Sequence, residues 1–331
     1  MCRWPAGLPT LPFALWRSLA YNQPVSNPSD TPINARTRYC ALFGHPVKHS
    51  ASPTMQNPGM AALGLNWRYL AFAVPPDQLR DALAGAKAMK FIGLNLTVPH
   101  KLPALRMMDA LDESANSWGA VNTVRFEAQD QAGNWRPLSF FAETVPEPTR
   151  SHGFNTDAEA IARALREDLG HELAGAKVLL LGAGGAGRVA ALKLAAEHAA
   201  ELFLVNRTAS TAAALAAEIA ARFPGVKARA GYPKGSVDLL INATSLGLQA
   251  GDELPFDRAE FCLDRTRGVY DMIYRPAQTP LLAAAKAAGC ATANGLGMLL
   301  RQGASSLELW SGQAAPIKEM RAALEASVYG H

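Results

Sequence analysis

Val178-Leu179-Leu180-Leu181-Gly182-Ala183-Gly184-Gly185-Ala186-Gly187 is the stretch on which the architecture turns. Four apolar residues run into Gly182, Gly184 and Gly187 in the spacing G-x-G-x-x-G, and an Ala/Leu-rich segment follows from Arg188. The pattern reads as a buried strand, a tight turn and a helix. The first glycine permits the turn, the second lets backbone approach a pyrophosphate, and the third lets helix and sheet close. The helix N-terminus adds free N–H groups and a positive dipole end. The spacing alone also fits a tight turn in an α/β domain that binds no nucleotide. With a strand before it and a helix after it, a dinucleotide cradle made by Gly182, Ala183, Gly184, Gly185 and Ala186 is the better reading. The next apolar run ends at Val205, before Asn206-Arg207-Thr208. An NAD site carries an acid there for the ribose hydroxyls. An amide, a guanidinium and a hydroxyl suit a 2′-phosphate instead, so NADP is expected over NAD. The alternative is that Arg207 is a solvated strand-end charge.

Working outward, strand–helix pairs continue through Leu202–Val205, Val237–Asn242 and Gly268–Tyr274, and Leu296–Leu309 and Ile317–Ala326 read as closing helices. Toward the N-terminus, Tyr39–Phe43, Trp67–Val74, Phe91–Val98 and Val121–Phe126 read as strands. Helices are expected over Thr54–Leu63, Pro76–Met89 and about Lys101–Leu111. Such alternation implies a mainly parallel, layered sheet. The fold class expected is α/β in two domains: an N-terminal α/β/α substrate unit over 38–157 and a Rossmann unit over 158–299, with residues 300–331 packing back on the first. Gln129 to His152, rich in turn formers, reads as one long loop. No internal repeat is present.

The segment Phe91–Lys101 places polar groups on a buried strand. Period-two alternation puts Asn95 and Thr97 on one face, with Leu94, Leu96 and Val98 on the other. Buried amides and hydroxyls need partners, and for an isolated pair neighbouring backbone would serve. Lys101 follows at the expected start of a helix, an electrostatically poor place for a cation, which argues for a functional reason over a solvated lysine. Ser50 and Ser52, two apart, can bind a carboxylate or polyol, or form an ordinary Ser/Pro turn. Asn122 lies inside an apolar strand. Asp157 opens a helix, where capping alone would explain it.

Composition sets the outer bounds. The 331 residues suit two domains, and 49% hydrophobic with 18% charged residues is ordinary for a globular protein. A net charge of +4 permits an anionic ligand, and no Lys/Arg run supports nucleic-acid binding. No apolar run reaches membrane-span length. Cys2, Cys40, Cys262 and Cys290 lack metal-ligand or redox spacing, so no metal is expected and a reduced, cytoplasmic setting fits. Residues 1–37 read as a disordered extension or a misassigned start. Their faint likeness to a signal peptide is broken by Pro5, Pro9, Pro12 and Arg17.

Taken in order, these motifs closely resemble the shikimate dehydrogenase family. The match runs from about Tyr39 to Trp310 and includes Phe43-Gly44-His45-Pro46, His49-Ser50-Ala51-Ser52-Pro53 and Asn95-Leu96-Thr97-Val98-Pro99-His100-Lys101. It continues through Gly119–Thr123, Asn155-Thr156-Asp157, the glycine turn, Asn206-Arg207-Thr208, Ile241–Ser245, Tyr270–Tyr274 and Gly295–Met298 leading to Gln302. The resemblance implies an NADPH-dependent oxidoreductase that reduces 3-dehydroshikimate to shikimate on the route to chorismate and aromatic amino acids. It implies Lys101 and Asp157 as the catalytic pair, and Ser50, Ser52, Asn95, Thr97, Asn122, Tyr274 and Gln302 as the substrate set. Glu113, Thr244, Met272 and Gly295 join the cofactor set. Partners implied are a small-molecule substrate, with neither nucleic acid nor membrane, for a monomer or homodimer. Quinate and aminoshikimate dehydrogenases share most motifs, and a metabolite-sensing relative without turnover need not keep both Lys101 and Asp157. A folate- or tRNA-linked Rossmann reductase lacks the serine pair. Gln56, Asn294 and Thr211 stand where the family commonly has His, Asp and a basic residue, and the 129–152 segment exceeds the family's usual length.

Overall fold

The computed structural model describes residues 32–142, 144–249 and 251–330. The extension expected over 1–37 therefore lies mostly outside the described residues. Its last part forms a turn in which the Thr37 hydroxyl donates to Asn66 Oδ1 at 2.9 Å.

Two sheets organise the chain. The first contains β1 (Arg38–Gly44), β2 (Trp67–Ala73), β3 (Gly93–Leu96), β4 (Ala110–Leu111), β5 (Thr123–Gln129), β6 (Trp135–Pro137) and β7 (Thr149–Phe154). Its order is β2-β1-β3-β5-β7-β4, with β6 on the flank of β5. The parallel pairing expected from strand–helix alternation holds for β1 with β2 and β3. Strand β5 then runs antiparallel to β3 and to β7, so the sheet is mixed. Helices α1 (Ser52–Ala62), α2 (Leu79–Ala88) and the short α3 (Glu113–Trp118) complete this unit.

The second sheet contains β8 (Lys177–Leu181), β9 (Glu201–Val205), β10 (Lys227–Ala230), β11 (Val237–Asn242), β12 (Thr266–Asp271) and β13 (Ala291–Asn294). Its order is β10-β9-β8-β11-β12-β13, and every pairing is parallel. Strand β8 is the hub. Its Val178-Leu179-Leu180-Leu181 run is buried on both faces, as a central parallel strand requires. The strand order reverses between β8 and β11, and in such sheets ligands bind outside the carboxyl ends at that reversal. Helices α4 (Asp157–Leu169), α5 (Gly185–Ala196), α6 (Ala209–Arg222) and α7 (Pro280–Ala287) flank the sheet. Helices α8 (Leu296–Ser311) and α9 (Ile317–Tyr329) leave it and pack on α1, sealing Leu300, Leu307, Trp310, Met320 and Leu324 into the first core.

Three expectations are corrected. Lys101–Leu111 is not a helix: a turn leads to one 3-10 segment over Pro103–Arg106 and then to β4. The Asp109 carboxylate accepts from the Ser151 backbone at 2.7 Å and hydroxyl at 2.9 Å, drawing the chain onto β7 instead of into another helical turn. Residues 129–152 are not one loop. Asp130 accepts from the backbone of Ala132 and Asn134, turning the chain into β6, and the segment returns as β7. This insertion also lies away from the pocket motifs, at the opposite end of the sheet. Arg38, which opens β1, donates to the carbonyls of Leu138 and Phe141, whereas Ser50 and Ser52 follow the other end of that strand. Finally, the strand expected over Val121–Phe126 is not the last of the first unit, because β7 pairs beside it. Edge strands β10 and β13 are four residues each and offer alanine as their only apolar residue, too short and too small a signal to mark them.

Candidate active site

The carboxyl ends of β1 and β3 open on a cavity of about 820 Å³. Ser50, Ser52, Asn95, Thr97, Lys101 and Asp157 line it from the first unit, and Gln302 from α8. Ala186, Met272, Tyr274 and Gly295 reach it from the second unit.

Lys101 Nζ donates to Asp157 Oδ2 at 2.7 Å, with side chains 19% and 4% exposed. The other carboxylate oxygen accepts from Asn122 Nδ2 at 2.9 Å. Capping does not explain Asp157, because the Asn155 side chain takes that role by accepting from the backbone of Asp157 and Ala158. Lys101 sits in the turn before the 3-10 segment, and its ammonium meets Asp157 at the N-terminus of α4, where that carboxylate offsets the positive helix end.

Asn122 itself does not line the cavity. Its amide is spent on Thr156 and Asp157, and its carbonyl accepts from the Thr156 backbone at 2.7 Å. It therefore fixes the carboxylate that meets Lys101. Asn95 lines the cavity, yet its amide is also committed. Nδ2 donates to the Asn122 carbonyl, the Thr123 hydroxyl and the Ser306 hydroxyl, while Oδ1 accepts from Tyr69 at 2.8 Å. Ser306, on α8, was not visible as a site residue; nothing local distinguishes it from a solvent-facing serine. The Ser50 and Ser52 hydroxyls stand 3.2 Å apart, and the Ala51 N–H between them donates to the Tyr274 hydroxyl at 3.4 Å.

A second cavity of about 1020 Å³ opens on the other side of the glycine turn. Gly182, Gly184, Asn206, Arg207, Thr208 and Thr244 line it, together with the loop Glu253–Arg258, which carries no periodic signal in the sequence. Gly182 has φ +97°, and a Cβ on Gly187 would stand 2.0 Å from the Gly182 carbonyl oxygen. Both positions accept only glycine, and the resulting turn lies where β8 and β11 diverge. The residues therefore fit a dinucleotide. Asn206 shapes this cradle from within: Oδ1 accepts from the Ala183 backbone at 3.0 Å and Nδ2 donates to the Thr208 carbonyl. Ala183 and Gly185 form the turn without lining either cavity. Met272 and Gly295 face the first cavity, and Glu113, exposed at the start of α3, reaches neither. Leu246 lines one cavity and Leu248 the other, so one loop borders both. Among the described residues, no cluster of His, Cys, Asp and Glu is placed to hold a metal, and no helix is long and apolar enough to cross a membrane.

Residues 42–124 match the shikimate dehydrogenase substrate binding domain, residues 164–245 the shikimate / quinate 5-dehydrogenase domain, and residues 295–325 the shikimate 5′-dehydrogenase C-terminal domain. The shikimate dehydrogenase (NADP(+)) of Methanopyrus kandleri is 41% identical over 301 residues, covering 88% of this chain and 96% of that protein. The chain belongs to the shikimate dehydrogenase family. Within it, the Thermus thermophilus enzyme, solved with NADP(H) and shikimate, is 35% identical with a TM-score of 0.72, over 88% of this chain and 99% of that one. The ligand-free 5-ketofructose reductase of Gluconobacter sp. strain CHM43 shares 34% identity at a TM-score of 0.72, over 89% and 100%. In this chain the two units meet across the first of these cavities, and the second lies wholly within the second unit.

Proposed function

We propose that this chain is an NADP-dependent oxidoreductase of the shikimate dehydrogenase type, reversibly reducing 3-dehydroshikimate to shikimate. The observation that carries this reading is the Lys101–Asp157 pair at 2.7 Å, facing a cavity that meets a nucleotide cradle across one glycine turn. We read 38–157 as the substrate domain and 158–299 as the nucleotide domain, acting in the cytoplasm as a monomer or homodimer.

Gly182–Ala186 and Arg207 would hold NADPH, which would supply the hydride. The chain's own residues do the rest. The Lys101 ammonium donates a proton to the substrate carbonyl oxygen during reduction and, as the amine, accepts the hydroxyl proton in the reverse direction. Asp157, pinned by Asn122, orients it. Ser50, Ser52 and Tyr274 offer hydroxyls to the substrate carboxylate, while Thr97 and Gln302 face the ring hydroxyls. Asn95 keeps these walls in register through Tyr69 and Ser306. Leu248 and Met272 give the cavity an apolar wall, and fixing the ring supplies the orientation hydride transfer requires.

Steady-state assays of shikimate and quinate, each with NADP⁺ and NAD⁺, test the proposal. The highest kcat/KM should belong to shikimate with NADP⁺; a higher value for quinate or for NAD⁺ would overturn it. A second reading, reduction of a neutral ketosugar, draws support from the 34% identity to the Gluconobacter protein. Turnover of 5-ketofructose above 3-dehydroshikimate would favour it.

A further inference from the structure

We infer that Arg275 is a specificity-determining residue that biases the substrate cavity toward carboxylate-bearing substrates and against neutral polyols and ketosugars; this rests on the function proposed above. Three charged side chains line that cavity, Lys101, Asp157 and Arg275, beside the imidazole of His49. The first two neutralise one another at 2.7 Å. Arg275 has no carboxylate partner among the described residues. Its Nη2 donates instead to the carbonyl of Ser327, in the last turns of α9, at 2.8 Å, with the Ser327 hydroxyl at 3.5 Å. The helix-end carbonyl offsets the guanidinium only in part, so the cavity wall keeps a cation that no carboxylate neutralises among the described residues.

The location of that charge gives it a direction. Arg275 directly follows Tyr274, whose hydroxyl accepts from the backbone between Ser50 and Ser52. Arg275 thus lines the same cavity as Tyr274 and the serine pair, whose hydroxyls can receive an anion. Arg275 is exposed, so water and salt screen its field, and it acts at a distance rather than as a contact. A neutral substrate gains nothing from it. The anchor on α9 also matters. It fixes the side chain to the helix that packs against α1, the helix opened by Ser52, so the charge stays with the serine pair.

The experiment compares wild type, Arg275→Gln and Arg275→Lys with shikimate and with its uncharged methyl ester, at low and high salt, reading KM, kcat and calorimetric affinity. Arg275→Gln should raise KM for shikimate about three- to tenfold at low salt, as expected for loss of a screened charge. KM for the ester, kcat and NADP⁺ affinity should hold, and the salt dependence of shikimate binding should flatten. Arg275→Lys, which keeps the charge, should restore most of the affinity. An unchanged KM for shikimate, or equal losses for acid and ester, would overturn the role of Arg275 while leaving the enzyme's activity established. A wild-type protein that neither binds nor oxidises shikimate would overturn the functional proposal along with it.

Discussion

At the glycine turn, Gly182 and Gly187 matter for atoms they lack, because a Cβ on either would meet backbone within about 3 Å. At the Lys101–Asp157 pair the reverse holds. Asn122 and Asp157 matter for every polar atom they carry, since each is buried and each is bonded. Both sites sit at the carboxyl ends of strands, at a reversal of strand order, yet one is a backbone shape and the other a hydrogen-bond network. A shape is specified by sterics among a few consecutive residues. A network is specified by which distant segments the fold brings together, and leaving one member unpaired costs more than the bond contributed.

That contrast can be broken. The largest expected effect is at Lys101, where removing a general acid/base should lower kcat by roughly a hundredfold or more. Lys101→Ala should leave KM within a few-fold. Near-wild-type turnover at saturating substrate would show that the polar network is structural only. Next, Arg207 extends the cradle with a side chain that is exposed and without a partner among the described residues. Arg207→Ala should weaken NADP⁺ by about 1.5–3 kcal/mol, the scale of a lost charge-assisted bond, and NAD⁺ far less. Titration with both cofactors decides, and equal losses would place the 2′-phosphate elsewhere.

Gly187→Ala tests the shape itself. Forcing a methyl against the Gly182 carbonyl should cost about 1–3 kcal/mol of strain. It should appear as weaker NADP⁺ binding with shikimate affinity unchanged in calorimetry. If shikimate affinity fell equally, the two sites would not be separable.

The smallest effect lies in the Glu127 network between β5 and β7, remote from both sites. Burial pushes the Glu127 carboxyl up, but bonds from His152, Arg125 and Arg150 outweigh it and hold the group at about 2, below its ordinary 4.5. A lowered value in the folded state stabilises the protein above about pH 4.5 and is lost as pH falls toward about 2. Thermal melts over that range should show a falling Tm, and Glu127→Gln should make the slope shallower. An unchanged slope would mean that other carboxylates govern acid stability.

Much of this was legible in the chain. The Val178–Gly187 run identified β8, its turn and α5. Alternation in Gly93–Val98 marked Asn95 as a buried polar residue needing partners, and Lys101 and Asp157 were both singled out. The misreadings share one cause. Lys101–Leu111 has helical composition, but Asp109 finds Ser151 across the sheet, and tertiary pairing prevails over local preference. Residues 149–154 look like loop because the buried positions Ser151 and Gly153 carry small residues where large apolar ones would signal a strand.

By itself the sequence determined what consecutive residues can enforce: the glycine turn, the buried hub strand and the absence of an acid after β9. Steric and electrostatic constraints of that kind act over a few residues and survive any tertiary arrangement. Only the tertiary structure decided what each buried polar group does. Asn95 meets Ser306 across 211 positions, Lys101 meets Asp157 across 56, and Arg275 meets Ser327 across 52. A buried donor must find an acceptor, but the chain does not say which one. The fold chooses the partner, and the choice separates an amide that holds the pocket together from a lysine free to act within it.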